Sequence, residues 1–205
     1  MNIFQKFWVK YLQKPYSLWQ LRTHSPDKPL KLVVGASATF FPGWIHTDVH
    51  ILDVLDRNNW DRYFKPASVD AVLAEHVWEH LTPEQGKLGF ENVFHYLKPG
   101  GYFRIAVPDG YHTSPDYIEM VKPGGTGNGA DDHKILYNYQ TMSAVLKEVG
   151  YEVSPLEYFD ENGSFHRNPW APEKGMVLRS YQYDTRNKVG IPVYTSLIID
   201  AYKPS

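Results

Sequence analysis

The chain has 205 residues, 42% of them hydrophobic and 21% charged, with a formal net charge of −2 at pH 7. That size and composition exclude a disordered or collagen-like chain and suit one domain with a real core. There is no cysteine, which excludes disulfides, thiolate-held zinc or iron–sulfur clusters and a thiol nucleophile.

The balanced charge gives no electrostatic case for nucleic acid as a partner. Phe4, Phe7, Trp8, Tyr11 and Leu12 share one helical face, with Lys6, Lys10 and Gln13 opposite. Pro15 is expected to stop or kink that helix. Packing over the domain's edge is the first reading of residues 1–20, and a weak membrane or partner contact the second. Lys6 and Lys10 interrupt the apolar start, which argues against a secretory signal and for a cytoplasmic enzyme. Two prolines make residues 23–29 a linker, so 1–29 reads as an N-terminal helical and linker extension.

Leu30–Val34 is a compact apolar run ending at Gly35 and reads as a buried strand. Trp44–Val49 and His50–Leu55 are two further short strand candidates, and Val69–Ala74 is another buried one. Thr82, Pro83 and Gln85 punctuate a helix start, and Phe90, Val93, Phe94 and Leu97 give its apolar face. Tyr102–Val107 reads as a strand stopping at Pro108-Asp109-Gly110, and 111–137 as glycine-rich loop. Within that loop, Gly125-Thr126-Gly127-Asn128-Gly129 looks like a dinucleotide loop but lacks the preceding strand and following helix. A helix over Tyr139–Val149 ends at Gly150. Tyr151–Phe159 and Val193–Tyr202 read as the last strands, with 160–192 inserted between them. Alternating strands and helices predict an α/β sheet whose ligand site lies outside the carboxyl ends of the strands.

The segments VDAVLAEHVWEHL and YLKPGGYFRIAVPD, within residues 69–109, resemble class I S-adenosylmethionine-dependent methyltransferases. The resemblance follows the strand order over roughly residues 31–159. It implies one domain across 1–205 with a Rossmann-like three-layer α/β/α sandwich. Its seven-stranded, mostly parallel sheet would have an antiparallel last strand. The implied cofactor is S-adenosylmethionine and the implied partner a small-molecule acceptor.

Residue by residue, the resemblance puts Gly35, Ala36 and Ser37 in the loop that approaches the cofactor, with one glycine where the family has three. It puts Asp48 at the ribose hydroxyls, which a carboxylate accepts by charge-assisted hydrogen bonds. Gly43-Trp44-Ile45-His46-Thr47-Asp48 is similar to a short family variant. Asp53, with the Val54 N–H, is similar to the adenine-recognising position, and Asp56 competes for that role. Trp60 is read as core before adenine cover. Glu75 and His76 would border the methionine end.

His76, Asp109 and His133 are the candidate catalytic groups, with none singled out as a general base, and His112 stands nearby. Glu79-His80 is read first as structural. No resident metal is expected: H-E-x-x-H is absent, and a site on His76, Glu79 and His80 needs a distant ligand such as His133.

Overall fold

The computed structural model describes residues 13–37, 39–188 and 190–205. The expected face of Phe4 to Leu12 lies outside them. Chain order runs α1 (Lys14–Thr23), β1 (Lys31–Val34), β2 (Ile45–His46), α2 (Arg57–Asp61), β3 (Val69–Glu75), α3 (Pro83–Tyr96) and β4 (Leu97–Pro108). It continues with α4 (Pro115–Val121), α5 (Tyr139–Val149), β5 (Glu152–Phe159), β6 (Phe165–Arg167) and β7 (Ser196–Tyr202). The seven strands form one sheet in the order β2-β1-β3-β4-β7-β5-β6. β2, β1, β3 and β4 pair in parallel, while β7 runs antiparallel to β4 and β5. This is the Rossmann-like mixed sheet with an antiparallel last strand that the resemblance implies.

Several elements differ from expectation. Pro15 occupies the first turn of α1, where proline's missing N–H costs nothing; the helix it is expected to stop or kink lies outside the described residues. His50–Leu55 is not a strand. The Asp48 carbonyl accepts from the N–H groups of Ile51 and Leu52, and the Asp53 carboxylate accepts from the Leu55 N–H. These bonds close turns, so neighbouring Ile51 and Leu52 are both buried instead of alternating. The seventh strand is β6, from within the 160–192 insertion. Residues 111–137 contain α4, whose N-cap Ser114 accepts from the Tyr117 N–H. Thr82 and Gln85 form the expected reciprocal cap of α3.

One sheet face is apolar through Leu32, Val34, Val72, Ala74, Phe103, Ile105, Leu197 and Ile199. Trp60 of α2, Phe90 and Val93 of α3, and Met142 and Leu146 of α5 pack on it. The opposite face presents Val33, Ala71, Leu73, Ala106, Leu156 and Ile198. Among the described residues, its cover is Phe41, Trp44, Trp170 and Val177, from irregular segments. Trp170 and Val177 thus bring the segment between β6 and β7 onto this face. Buried Arg104 holds it, donating to the carbonyls of Ala171 and Gly175 at 3.1 and 2.7 Å.

Candidate functional site

β1 pairs with β2 on one side and β3 on the other, so the chain reverses its direction across the sheet at the β1–β3 boundary. Strand carboxyl ends diverge at such a boundary and leave a crevice. Here the crevice has a volume of about 550 Å³. Val33, Gly35, Ala36 and Ser37 line it from the β1 side, and Leu73, Glu75 and His76 from β3. Thr39 and Phe41 follow from the β1–β2 connection, and Leu178 and Arg179 from the insertion.

The turn after β1 is shaped by two close approaches. Gly35 has φ +63°, and a Cβ there would stand 2.3 Å from Val77 Cγ2. Only glycine allows the β1 and β3 turns to touch in this way. Ser37 has φ +47° and His76 φ +56°, left-handed values that ordinary side chains rarely adopt. Ser37 is held in place through its carbonyl, which accepts from Gln13 Nε2 at 2.6 Å. No helix separates β1 from β2 among the described residues. Instead Ala36 N–H donates to Thr47 O and Thr47 N–H to Val33 O, at 2.9 and 2.7 Å.

Glu75 and His76, at the mouth, are both committed. The two Glu75 oxygens accept from the Leu178 and Arg179 N–H groups at 3.1 and 2.7 Å. His76 places Nε2 at 2.9 Å from Ser196 Oγ and Nδ1 at 2.9 Å from Glu79 Oε1. Burial raises the Glu79 pKa, but the adjacent His76 and His80 outweigh it and hold the carboxyl below its usual range. Arg179 makes no side-chain hydrogen bond or salt bridge among the described residues, so the cavity keeps an uncommitted cation.

Five of the eight expected cofactor residues thus meet in one cavity: Gly35, Ala36, Ser37, Glu75 and His76. Asp48, Asp53 and Val54 are not in its lining. One Asp48 oxygen accepts from the Val49 N–H, while Asp53 Oδ1 closes the turn to Leu55. Val54 is buried, and its carbonyl accepts from Asn92 Nδ2. Asp56 caps α2. Trp60 is fully buried and stacks on Tyr96 with ring centroids 5.0 Å apart, so it is core.

Of the catalytic candidates, only His76 reaches the cavity. Asp109 is fully buried, and its oxygens accept from the N–H groups of Tyr111 and Phe159. Burial pushes its pKa up to about 6, against the pull of those two bonds. His112 stacks on Tyr117, and burial lowers its pKa to about 4. His133 lies beside His80, with ring centroids 4.8 Å apart. Sequence reasoning missed Leu178 and Arg179, because nothing local shows that the insertion folds back over β3.

No protein-family model matches the chain. No curated protein matches it either. Solved structures do. A SAM-dependent methyltransferase from Archaeoglobus fulgidus aligns at 15% identity and TM-score 0.49, over 98% of this chain and 100% of that one. A SAM-dependent methyltransferase from Thermotoga maritima aligns at 11% identity and TM-score 0.48, covering 98% and 94%. Phosphoethanolamine N-methyltransferase 2 of Haemonchus contortus, in complex with S-adenosyl-L-methionine, aligns at 16% and 0.47, but this chain spans only 57% of it.

Proposed function

We propose that this chain is an S-adenosylmethionine-dependent methyltransferase acting on a small-molecule acceptor. The reading rests on one observation: the cavity opens at the sheet's reversal point, with a positive-φ glycine turn on its floor. That is where an α/β sheet offers backbone N–H groups to a ligand without side-chain obstruction. The donor set suits the cofactor. The Gly35–Ser37 backbone would approach its methionine end, and Arg179 supplies a cation for the carboxylate. Asp48, just beyond β2, has one oxygen without a hydrogen-bond partner among the described residues and would accept the ribose hydroxyls. Asp53 and the Val54 N–H continue that line toward the adenine.

The bound cofactor supplies an electrophilic methyl group. What these residues supply is position and exclusion of water. Leu178 and Phe41 wall the cavity, and Glu75 anchors the covering segment through two backbone bonds. Glu75 and His76 are both engaged, so neither is a ready general base. An acceptor that is already nucleophilic fits this site best.

One observation favours a second reading, a methyltransferase-fold binding protein without turnover. The loop after β1 keeps one glycine and holds Ser37 at φ +47°. Calorimetric titration with S-adenosylmethionine and S-adenosylhomocysteine separates these readings. Saturable binding of both, with methyl transfer to a panel of small nucleophiles, is the expected result. Binding without transfer to any of them supports the second reading, and no binding by folded protein removes both.

A further inference from the structure

We propose that Glu79, His80 and His133 form a binding site for one divalent transition-metal ion, with zinc strongly preferred over magnesium. One carboxylate oxygen of Glu79 and one ring nitrogen from each histidine lie within 4.8 Å of one another. Two imidazoles and one carboxylate are a borderline nitrogen and oxygen donor set. It suits zinc and leaves a fourth position for water, whereas magnesium prefers an all-oxygen octahedron.

Three observations give the cluster more than proximity. The first is the Glu79 side chain, only 1% exposed, whose Oε2 has no hydrogen-bond or ion-pair partner among the described residues. A buried carboxylate oxygen without a donor is costly unless something cationic reaches it. His76 reaches only Oε1, so one oxygen remains available.

The second is the set of groups behind the histidines. His133 Nδ1 lies 2.7 Å from the Val121 carbonyl. A carbonyl only accepts, so this contact assigns the proton to Nδ1 and leaves Nε2 as a bare lone pair. His80 Nδ1 stands 3.4 Å from Asp132 Oδ2, which favours the same tautomer. Backbone carbonyls and carboxylates orient metal-binding imidazoles in this manner.

The third is rigidity between the two chain segments. Lys134 N–H donates to the Glu79 carbonyl at 2.7 Å, fixing the 130–134 turn against the 78–80 turn. Tetrahedral zinc with bonds of about 2.0–2.1 Å separates its ligand atoms by roughly 3.4 Å. The widest pair of ligand atoms must therefore close by up to about 1.4 Å, which rotation of His80, 33% exposed, permits.

This proposal departs from the expectation of no resident metal and does not depend on the methyltransferase reading. Chelator-stripped full-length protein is titrated with zinc against a chromophoric chelator, and separately with magnesium. The expected result is one zinc per chain with Kd near or below about 1 μM, no magnesium binding at millimolar concentration, and a raised Tm with zinc. Cobalt substitution should give the intense visible bands of a tetrahedral site. H80A and H133A should each weaken zinc by at least about tenfold, while H166A, in a partly buried pair with Asp160, leaves it unchanged. Zinc affinity unaltered in the H80A/H133A double variant overturns the proposal, as does weak binding at several sites. The cobalt spectrum of the unaltered protein decides independently of variant folding: octahedral bands alone also overturn it.

Discussion

Glu75, the last residue of β3, accepts a 2.7 Å hydrogen bond from the backbone N–H of Arg179, 104 residues further along the chain. With the companion bond from Leu178, this carboxylate spans the cavity mouth and fastens the insertion over it. E75A releases two exposed N–H groups to water, at a net cost of about 0.5–1.5 kcal/mol per hydrogen bond. We expect E75A to lose S-adenosylhomocysteine affinity and to become sensitive to proteolysis within 170–180. E75Q, which keeps one acceptor oxygen, should be intermediate. Protease resistance equal to the parent's would show that Glu75 does not hold the segment.

Gly35 is the second position where the site is built by contact. G35A puts a methyl group against Val77 and forces φ +63° on a residue with a Cβ. Left-handed backbone costs roughly 1–2 kcal/mol for alanine, and overpacking adds about 1–3 kcal/mol. Chemical denaturation should show a loss of a few kcal/mol. Adding V77A should recover the packing part and leave the backbone part; a double variant no more stable than G35A would place all the cost in the backbone.

These two contacts show why part of the site was legible and part was not. Gly35, Ala36, Ser37 and His76 follow strands and Glu75 ends one, and the compact apolar runs Leu30–Val34 and Val69–Ala74 locate those strands without tertiary information. His50–Leu55 has the same apolar look but folds into turns, because the Asp48 carbonyl and Asp53 carboxylate capture nearby N–H groups. Ile51, Leu52 and Val54 are buried all the same and Leu55 partly so, so an apolar run here marks burial without marking a strand. Leu178 and Arg179 were invisible for another reason. Their place depends on Glu75 and Arg104, whose bonds to the insertion join residues between 67 and 104 positions apart, and no local pattern records such a bond.

Asp48 tests how far the ligand extends beyond the lined cavity. One of its oxygens accepts from Val49 N–H at 2.7 Å. If the other oxygen holds the ribose, D48A should weaken S-adenosylhomocysteine binding by about tenfold, the worth of one charge-assisted contact. Titration calorimetry on folded variant protein measures this. Unchanged affinity confines the ligand to the crevice between β1 and β3.

Two buried histidines set the acid limit. Burial lowers both His46 and His112 to about 4. Each also accepts a backbone N–H: Phe41 donates to His46 Nε2 at 2.7 Å, and Ser114 to His112 Nδ1 at 3.1 Å. Protonation at those nitrogens would break the bonds. Folded pKa values below the unfolded value of about 6.5 mean that the unfolded chain takes up protons first. Their stability contribution is complete above pH 6.5 and declines as pH falls toward 4. Asp109 works in the opposite sense, since its folded pKa of about 6 lies above its unfolded one. Protonating it on the way down from pH 6 offsets part of the loss. Tm should therefore fall between pH 6.5 and 4, and the imidazole resonances of both histidines should not shift above pH 5. Titration of either near 6.5 in the folded protein would refute this account.

The last test concerns Arg104 and Asp200, paired across β4 and β7. Arg104 Nε and Nη2 donate to the two Asp200 oxygens at 2.7 and 2.8 Å, and the side chains are 1% and 3% exposed. Arg104 Nη1 also binds the carbonyls of Ala171 and Gly175, and the guanidinium lies 5.0 Å from the Trp170 ring centroid. Removing one partner leaves the other charge buried, which costs about 3–5 kcal/mol, whereas replacing both with apolar groups is often far milder. D200A should accordingly be worse than the R104M/D200L double variant when both are measured by denaturant unfolding. The double variant nevertheless loses the grip on Ala171 and Gly175, so the insertion should loosen even where global stability recovers. Hydrogen exchange in 170–179 should then rise in R104M/D200L, and S-adenosylhomocysteine affinity should fall with it. Recovery of stability with exchange and affinity both at parental values would mean that Glu75 alone positions the segment that closes the site.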